Sequence, residues 1–214
     1  MTIRFITVVV LGALVSTATA QPAANVSAIQ GSPAYQAALD YLGQDYDRFV
    51  RELMQLTEIP APPFAEEARA AVYLEMLRAA GLDDVEQDKI GNVMGVRRGV
   101  GGGPLVAVAA HLDTVFPPQT DVTVRREGTR LMAPGIGDDT TGLAAVLTVI
   151  RALNAASVST TSDILFVGNV GEEGPGDLRG VKYLFREGAY RDRIAQFISV
   201  ESGDQVTITN GALG

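Results

Sequence analysis

The sequence predicts an α/β fold, a mixed, largely parallel sheet with helices on both faces. Three observations predict it. Stretches with apolar residues three or four apart alternate with short apolar runs, the pattern of helices interleaved with strands. Two of those runs, 105–110 and 163–170, are almost continuously apolar, as strands covered on both sides are. Polar, chemistry-bearing residues then stand just after the runs, where sheets of this kind place their ligands.

The elements follow in chain order. Met1 to Arg4 is a short basic start, residues 5–16 are almost uninterruptedly apolar, and Ala18-Thr19-Ala20 fits an A-x-A cleavage site. We read residues 1–20 as a signal peptide and the protein as exported, periplasmic or secreted. Roughly twelve apolar residues fall short of the roughly twenty that span a bilayer. Residues 21–32 are small and polar and read as a flexible lead-in. The spacing of Leu39, Leu42, Phe49, Leu53 and Leu56 predicts helix over 33–57, with Gly43 as a break and Pro60-Ala-Pro-Pro63 as the stop. Phe64, Ala68, Ala71, Leu74 and Leu77 predict a second helix to about residue 80. Strands are expected at 92–96 and 105–110, with the glycine cluster 99–103 as a hairpin loop between them. That cluster lacks a G-K-[ST] ending and precedes a strand, which argues against a phosphate loop. A helix from about Thr140 carries Leu143, Val146, Leu147, Ile150 and Leu153, and further strands are expected at 163–170 and 197–200.

Composition removes several chemistries. The chain has 214 residues, 47% of them hydrophobic, enough for one substantial core. With 17 basic and 25 acidic residues it is acidic, and losing the leader takes one Arg and no acid. Nucleic acid and, after cleavage of the leader, a membrane surface are therefore not expected as partners. Cysteine is absent, so there is no thiolate ligand or cysteine nucleophile. The single histidine, His111, excludes any site that needs two from this chain, such as H-E-x-x-H. No G-x-S-x-G is present for a serine hydrolase.

The strand ends carry the candidate site. His111 follows the strand 105–110, and Asp113 stands two residues later, where its carboxylate can hold the second ring nitrogen of a metal-bound imidazole. A lone histidine capping a strand would read the same way. Asp138 and Asp139 follow Gly135-Ile-Gly137 at a helix entrance; one suffices as an N-cap, which leaves the other free to point elsewhere. Glu172 and Glu173 follow the strand 163–170 between glycines, and adjacent carboxylates there repel unless a cation or proton separates them. Glu201 follows the strand 197–200. Four strand or loop ends each deliver a carboxylate or imidazole, which together suggest one site. Oxygen ligands with one imidazole suit zinc, manganese or cobalt.

His-Leu-Asp-Thr-Val at 111–115, Gly-Ile-Gly-Asp-Asp at 135–139, Gly-Glu-Glu-Gly at 171–174 and Glu201 after a strand resemble the glutamate carboxypeptidase, aminoacylase and peptidase T family of two-zinc metallopeptidases. The resemblance covers residues 34–214. It implies a zinc-exopeptidase-like catalytic domain that uses two divalent metal ions, zinc or alternatively cobalt or manganese. By it, His111 and Glu201 would bind the first ion, Asp138 would bridge, Glu173 would bind the second, Asp113 would orient His111, and Glu172 would be the general base. The implied activity is hydrolysis of an amide bond in a small peptide or N-acyl amino acid.

The chain departs from the family twice. Asp138-Asp-Thr-Thr-Gly142 stands where the carboxypeptidase branch has Asp-Asp-Lys-Gly-Gly. The family's remaining metal-binding histidine and the lid-domain histidine have no counterpart in this chain. Residues 33–204 are thus expected to be the N-terminal part of the catalytic domain, and 205–214 the start of the crossing to a lid and dimerisation domain, before which the chain is truncated. The family often dimerises through the lid, so the resemblance allows a homodimer in the full-length form. The rival reading is a non-catalytic remnant that binds metal or peptide only.

Overall fold

A computed structural model of the chain describes residues 26–201. The expected leader, the first part of the lead-in and the crossing segment 205–214 lie outside the described residues. Val26–Gln30 is a short helix, α1, without a buried residue. Ser32 caps the next helix, α2 (Pro33–Gln44), accepting the Tyr35 N–H at 3.2 Å, and Pro33 opens its first turn.

The break between α2 and α3 (Tyr46–Thr57) falls at Asp45, not at Gly43. The reason is an ion pair: the buried Asp45 carboxylate accepts two hydrogen bonds from Arg151, at 2.8 and 2.5 Å, and that anchor fixes where the chain turns. Helix α4 (Glu67–Ala79) begins three residues later than its apolar pattern predicts, because Phe64 has φ of 72°, which a helix does not admit. Its buried face matches the predicted one only at its end, where Leu77 is buried and Leu74 packs against the core. Arg69, Ala70, Tyr73 and Leu77 are buried, while Phe64, Ala68 and Ala71 are exposed.

Strands β1 (Asp83–Gln87), β2 (Val93–Arg97) and β3 (Gly103–His111) follow, then a small hairpin of β4 (Arg125–Glu127) and β5 (Arg130–Met132). Helix α5 (Thr141–Ala155), strand β6 (Ser162–Asn169), helix α6 (Arg179–Arg186) and strand β7 (Ile194–Ser199) complete the described residues. The main sheet has the order β1-β2-β6-β3-β7. Only β2 opposes the other strands: β1 and β6 are antiparallel to it, and β6, β3 and β7 are mutually parallel. The glycine cluster 99–103 is therefore not a hairpin loop. Strand β6 lies between β2 and β3 and pairs with both, so the cluster carries the chain past the end of β6, with Val100 and Gly101 donating N–H groups to the carbonyls of Thr160 and Thr161.

Side chains alternate across the sheet and divide the core in two. On one face Val93, Ala110 and Phe166 pack with Leu56, Tyr73, Leu77, Leu143, Leu147 and Ile150 from α3, α4 and α5. On the other, Met94, Val96, Leu105, Ala107, Ala109, Leu165 and Val167 pack against Leu184 of α6 and Tyr190. Both faces are covered, the first far more heavily. Each fully buried large apolar side chain, such as Phe166, stabilises the fold by roughly 1.5–3 kcal/mol. Parallel β3, β6 and β7 all end on the same side of this layered core, which is where the polar residues gather.

Candidate metal centre

His111 is the last residue of β3, and Glu172 and Glu173 lie three and four residues after β6. Glu201 is two residues after β7, and Asp138 precedes α5 in the irregular turn 136–140. All the predicted site residues are brought together. The ligating atoms of His111, Glu172 and Glu173 lie within 4.8 Å of one another, and so do those of His111, Asp139 and Glu201.

The imidazole is buried and its two nitrogens have different surroundings. Nδ1 lies 2.9 Å from the backbone carbonyl of Asp113; a carbonyl only accepts, so Nδ1 carries the proton. Nε2 faces Asp138 Oδ1 at 2.8 Å and Glu201 Oε2 at 3.7 Å. It is the nitrogen turned toward the carboxylates.

Asp113 differs in detail from its expected role. Its carboxylate is 3.7 Å from Nδ1, and the same residue holds the ring through its carbonyl instead. The carboxylate accepts the backbone N–H groups of Glu172 and Glu173, both at 2.9 Å. One residue thereby sets both the imidazole and the turn that carries two acids.

The adjacent aspartates divide their tasks. Asp139 is fully buried, accepting the His111 N–H at 3.2 Å and the Gly142 N–H at 3.1 Å. A Cβ at Gly142 would collide with that carboxylate, so glycine is required for the cap to close. Asp138, with a side chain 55% exposed, points outward to Nε2. Thr140 hydrogen-bonds Thr57 of α3 at 2.7 Å and the Gly135 carbonyl at 3.0 Å, fixing the turn to the helical layer.

The electrostatics reflect several carboxylates gathered around one imidazole. Burial acts to lower the His111 pKa, but hydrogen bonding to Asp113 and the charges of Asp139, Asp113 and Glu201 outweigh it and carry it to about 10. Burial pushes Asp139 up to about 8, with Glu201 and Asp138 adding to it against the pull of His111. Burial likewise raises Glu172, helped by Glu201, Asp113 and Asp138, and raises Glu173, helped first by Asp138. Asp113 is held below the usual carboxylate range: burial would raise it, but the adjacent His111 ring and the hydrogen bonds from the Glu172 and Glu173 amides prevail. Carboxylates crowded around a single imidazole are what a divalent cation relieves, and the donor set of oxygen and imidazole fits such ions.

Two further residues support the site without having been legible in the sequence. Arg69, buried on α4, donates to the Leu112 carbonyl and to the Ile59 carbonyl, both at 2.6 Å, clamping the chain between His111 and Asp113. Asn92 is fully buried, accepts the Val170 N–H at 3.0 Å and donates to the Gly180 carbonyl at 3.0 Å, holding both stems of the loop after β6. A polar residue on the inner face of an otherwise apolar helix stripe is the one signal that would have found Arg69.

Residues 107–211 match the family described as Peptidase family M20/M25/M40. That stretch is similar to the M20 peptidases. Its motifs are the ones that converge on His111. Over 128 residues the chain is 36% identical to a Pyrococcus abyssi protein named as a LysW-lysine/LysW-ornithine hydrolase, covering 60% of this chain and 34% of that one. The chain thus spans about a third of the length of that curated relative. Among solved structures, the aminopeptidase PepT from Bacillus cereus aligns with a TM-score of 0.61 at 25% identity, over 73% of this chain and 43% of that one. YxeP of Bacillus subtilis, described as a dinuclear metal-binding M20 peptidase, aligns at 0.56 with 15% identity, over 74% and 43%. The M20 fold is a mixed α/β architecture, and the five-stranded sheet follows it.

Proposed function

We propose that the protein hydrolyses an amide bond in a small peptide or N-acyl amino acid with two divalent metal ions. The observation that carries this is the meeting of His111 Nε2, Asp138 and Glu201 on one side with Glu172 and Glu173 on the other, where the parallel strands end and the turn before α5 comes in. The family match and the dinuclear centre named for YxeP support it.

His111, Asp138 and Glu201 would hold one ion, and Asp138 with Glu173 the other; zinc is the leading choice, with cobalt or manganese as alternatives. Bound divalent ions supply polarisation of the scissile carbonyl and a lowered pKa for water. Asp113 fixes the ring through its carbonyl, so that Nε2 keeps its lone pair toward the ligand position. Glu172 takes a proton from the attacking water at its carboxylate and returns it to the departing amine nitrogen. Its raised pKa brings it nearer neutrality, which suits a group that must both take and give a proton.

The test is to load the complete protein with zinc, cobalt or manganese and present a panel of dipeptides and N-acyl amino acids. Cleavage of at least one class is expected. Protein that demonstrably holds two ions and cleaves none would sink the proposal in favour of a role in binding only. We also propose that the protein is exported, on the strength of residues 1–20; N-terminal sequencing of the mature protein should begin at Gln21.

A further inference from the structure

We infer that Glu66 and Arg179 are a positioning pair for the Gly171-Glu172-Glu173 turn, an inference that rests on the hydrolytic reading above. Three consecutive amides in this turn donate to carboxylates from elsewhere in the chain. Asp113 takes those of Glu172 and Glu173. Glu66, at the entrance to α4, takes the third: its Oε1 accepts the Gly171 N–H at 3.0 Å, while its Oε2 accepts from Arg179 at 2.8 Å.

The pair is built into the fold from both ends. The Glu66 side chain is 3% exposed, so its charge depends on Arg179 for compensation. Arg179 opens α6, its backbone N–H donates to the Gly171 carbonyl at 3.1 Å, and its guanidinium lies 4.6 Å over the Phe64 ring. Gly171 has φ of 62°, and a Cβ there would run into the Arg179 guanidinium. Only glycine permits the close approach. The loop from 171 to 179 is therefore a closed ring, with Glu66 bridging its two ends, and Glu172 and Glu173 are held on its rim.

Sequence distance hides this arrangement. Glu66 is 105 residues from Gly171 and 113 from Arg179. In Glu66→Gln the side-chain carbonyl can still accept the Gly171 N–H, but the pairing with Arg179 is lost. Glu66→Ala removes both, and Arg179→Met removes the cation alone.

The experiment is residue-resolved amide hydrogen exchange on the metal-free complete protein, with a Co²⁺ titration of the same variants. In Glu66→Ala, exchange at residues 171–173 should accelerate by about tenfold or more while the β3–β6 ladder keeps its wild-type protection. Glu66→Gln should fall between, and Co²⁺ affinity should drop by roughly 10–100-fold, as loss of an outer support does. Unchanged exchange at 171–173 would overturn the inference. So would acceleration spread evenly through β3 and β6, which marks a purely structural pair; should Glu66→Ala not fold, Glu66→Gln and Arg179→Met decide by the same two criteria. No substrate enters either measurement, so a protein inert toward every amide would defeat the proposed activity and leave this test standing.

Discussion

The Asp113 carboxylate accepts the backbone N–H groups of Glu172 and Glu173 at equal distances of 2.9 Å. A single acid on the loop after β3 thus sets the direction in which two acids leave β6. In Asp113→Asn one oxygen is replaced by a donor, which cannot accept the second amide. We expect kcat to fall by roughly 10–100-fold, the effect typical of a residue that orients ligands, while KM changes little. Steady-state kinetics of the metal-loaded protein check this; a change confined to KM would contradict it.

Glu172→Gln separates proton transfer from metal binding. Loss of a general base costs roughly 10²–10⁴ in rate. The expected outcome is a fall of that order in kcat with zinc affinity, measured calorimetrically, within a few-fold of wild type. A parallel collapse of zinc affinity would instead make Glu172 a ligand.

The metal-free protein should lose stability as pH rises from neutral into the alkaline range. His111 has its folded pKa raised to about 10, so its contribution is fully present below its unfolded value, roughly 6.5, and is lost as pH climbs through about 10. Asp139, raised to about 8, acts with the same sign: the fold favours its protonated form, and that contribution is lost as pH passes about 8. A divalent cation replaces those protons, so added zinc should raise the melting temperature more at pH 9 than at pH 6. Thermal melts with chelator and with zinc at the two values measure this, and an equal or larger gain at pH 6 would refute it.

Arg151 tests the helical layer that supports the site. It pairs with Asp45 at 2.5 Å and with Glu52 at 3.0 Å, with its own side chain 5% exposed. Arg151→Ala leaves the buried Asp45 carboxylate without a cation and Glu52 with Arg48 alone, and should destabilise the fold by about 3–5 kcal/mol, read as a lower urea midpoint. A midpoint within error of wild type would show the pair to be unimportant.

The sequence made the site more legible than its supports. His111, Asp138, Glu172, Glu173 and Glu201 were visible because each follows an apolar run or glycine turn at the end of an element, and topology then gathers them. Which atom of Asp113 faces the ring was not visible, because carbonyl and carboxylate belong to the same residue and only the backbone path chooses between them. The first turns of α4 were misread because Phe64, Ala68 and Ala71 fit a helical period ending on Leu77 as well as Ala70 and Tyr73 do, and tertiary packing, with Tyr73 donating to the Leu143 carbonyl at 3.2 Å, selects between them. Strand β1, which no apolar run announces in the sequence, pairs with β2 although four of its five residues are exposed. Its strand character comes from the partner's ladder rather than from an apolar pattern of its own.

The placement of β6 between β2 and β3 has a kinetic consequence. Residues 93–97 and 103–111 leave the ribosome early, yet their shared partner at 162–169 is made some fifty residues later. Until then both are unpaired edges along their β6 sides, open to non-native pairing. Closure of the sheet centre is a long-range event, of the kind that slows folding. The same insertion carries Glu172 and Glu173 to His111, so two of the clustered acids arrive only with this long-range pairing, and Glu201 only with β7 after it.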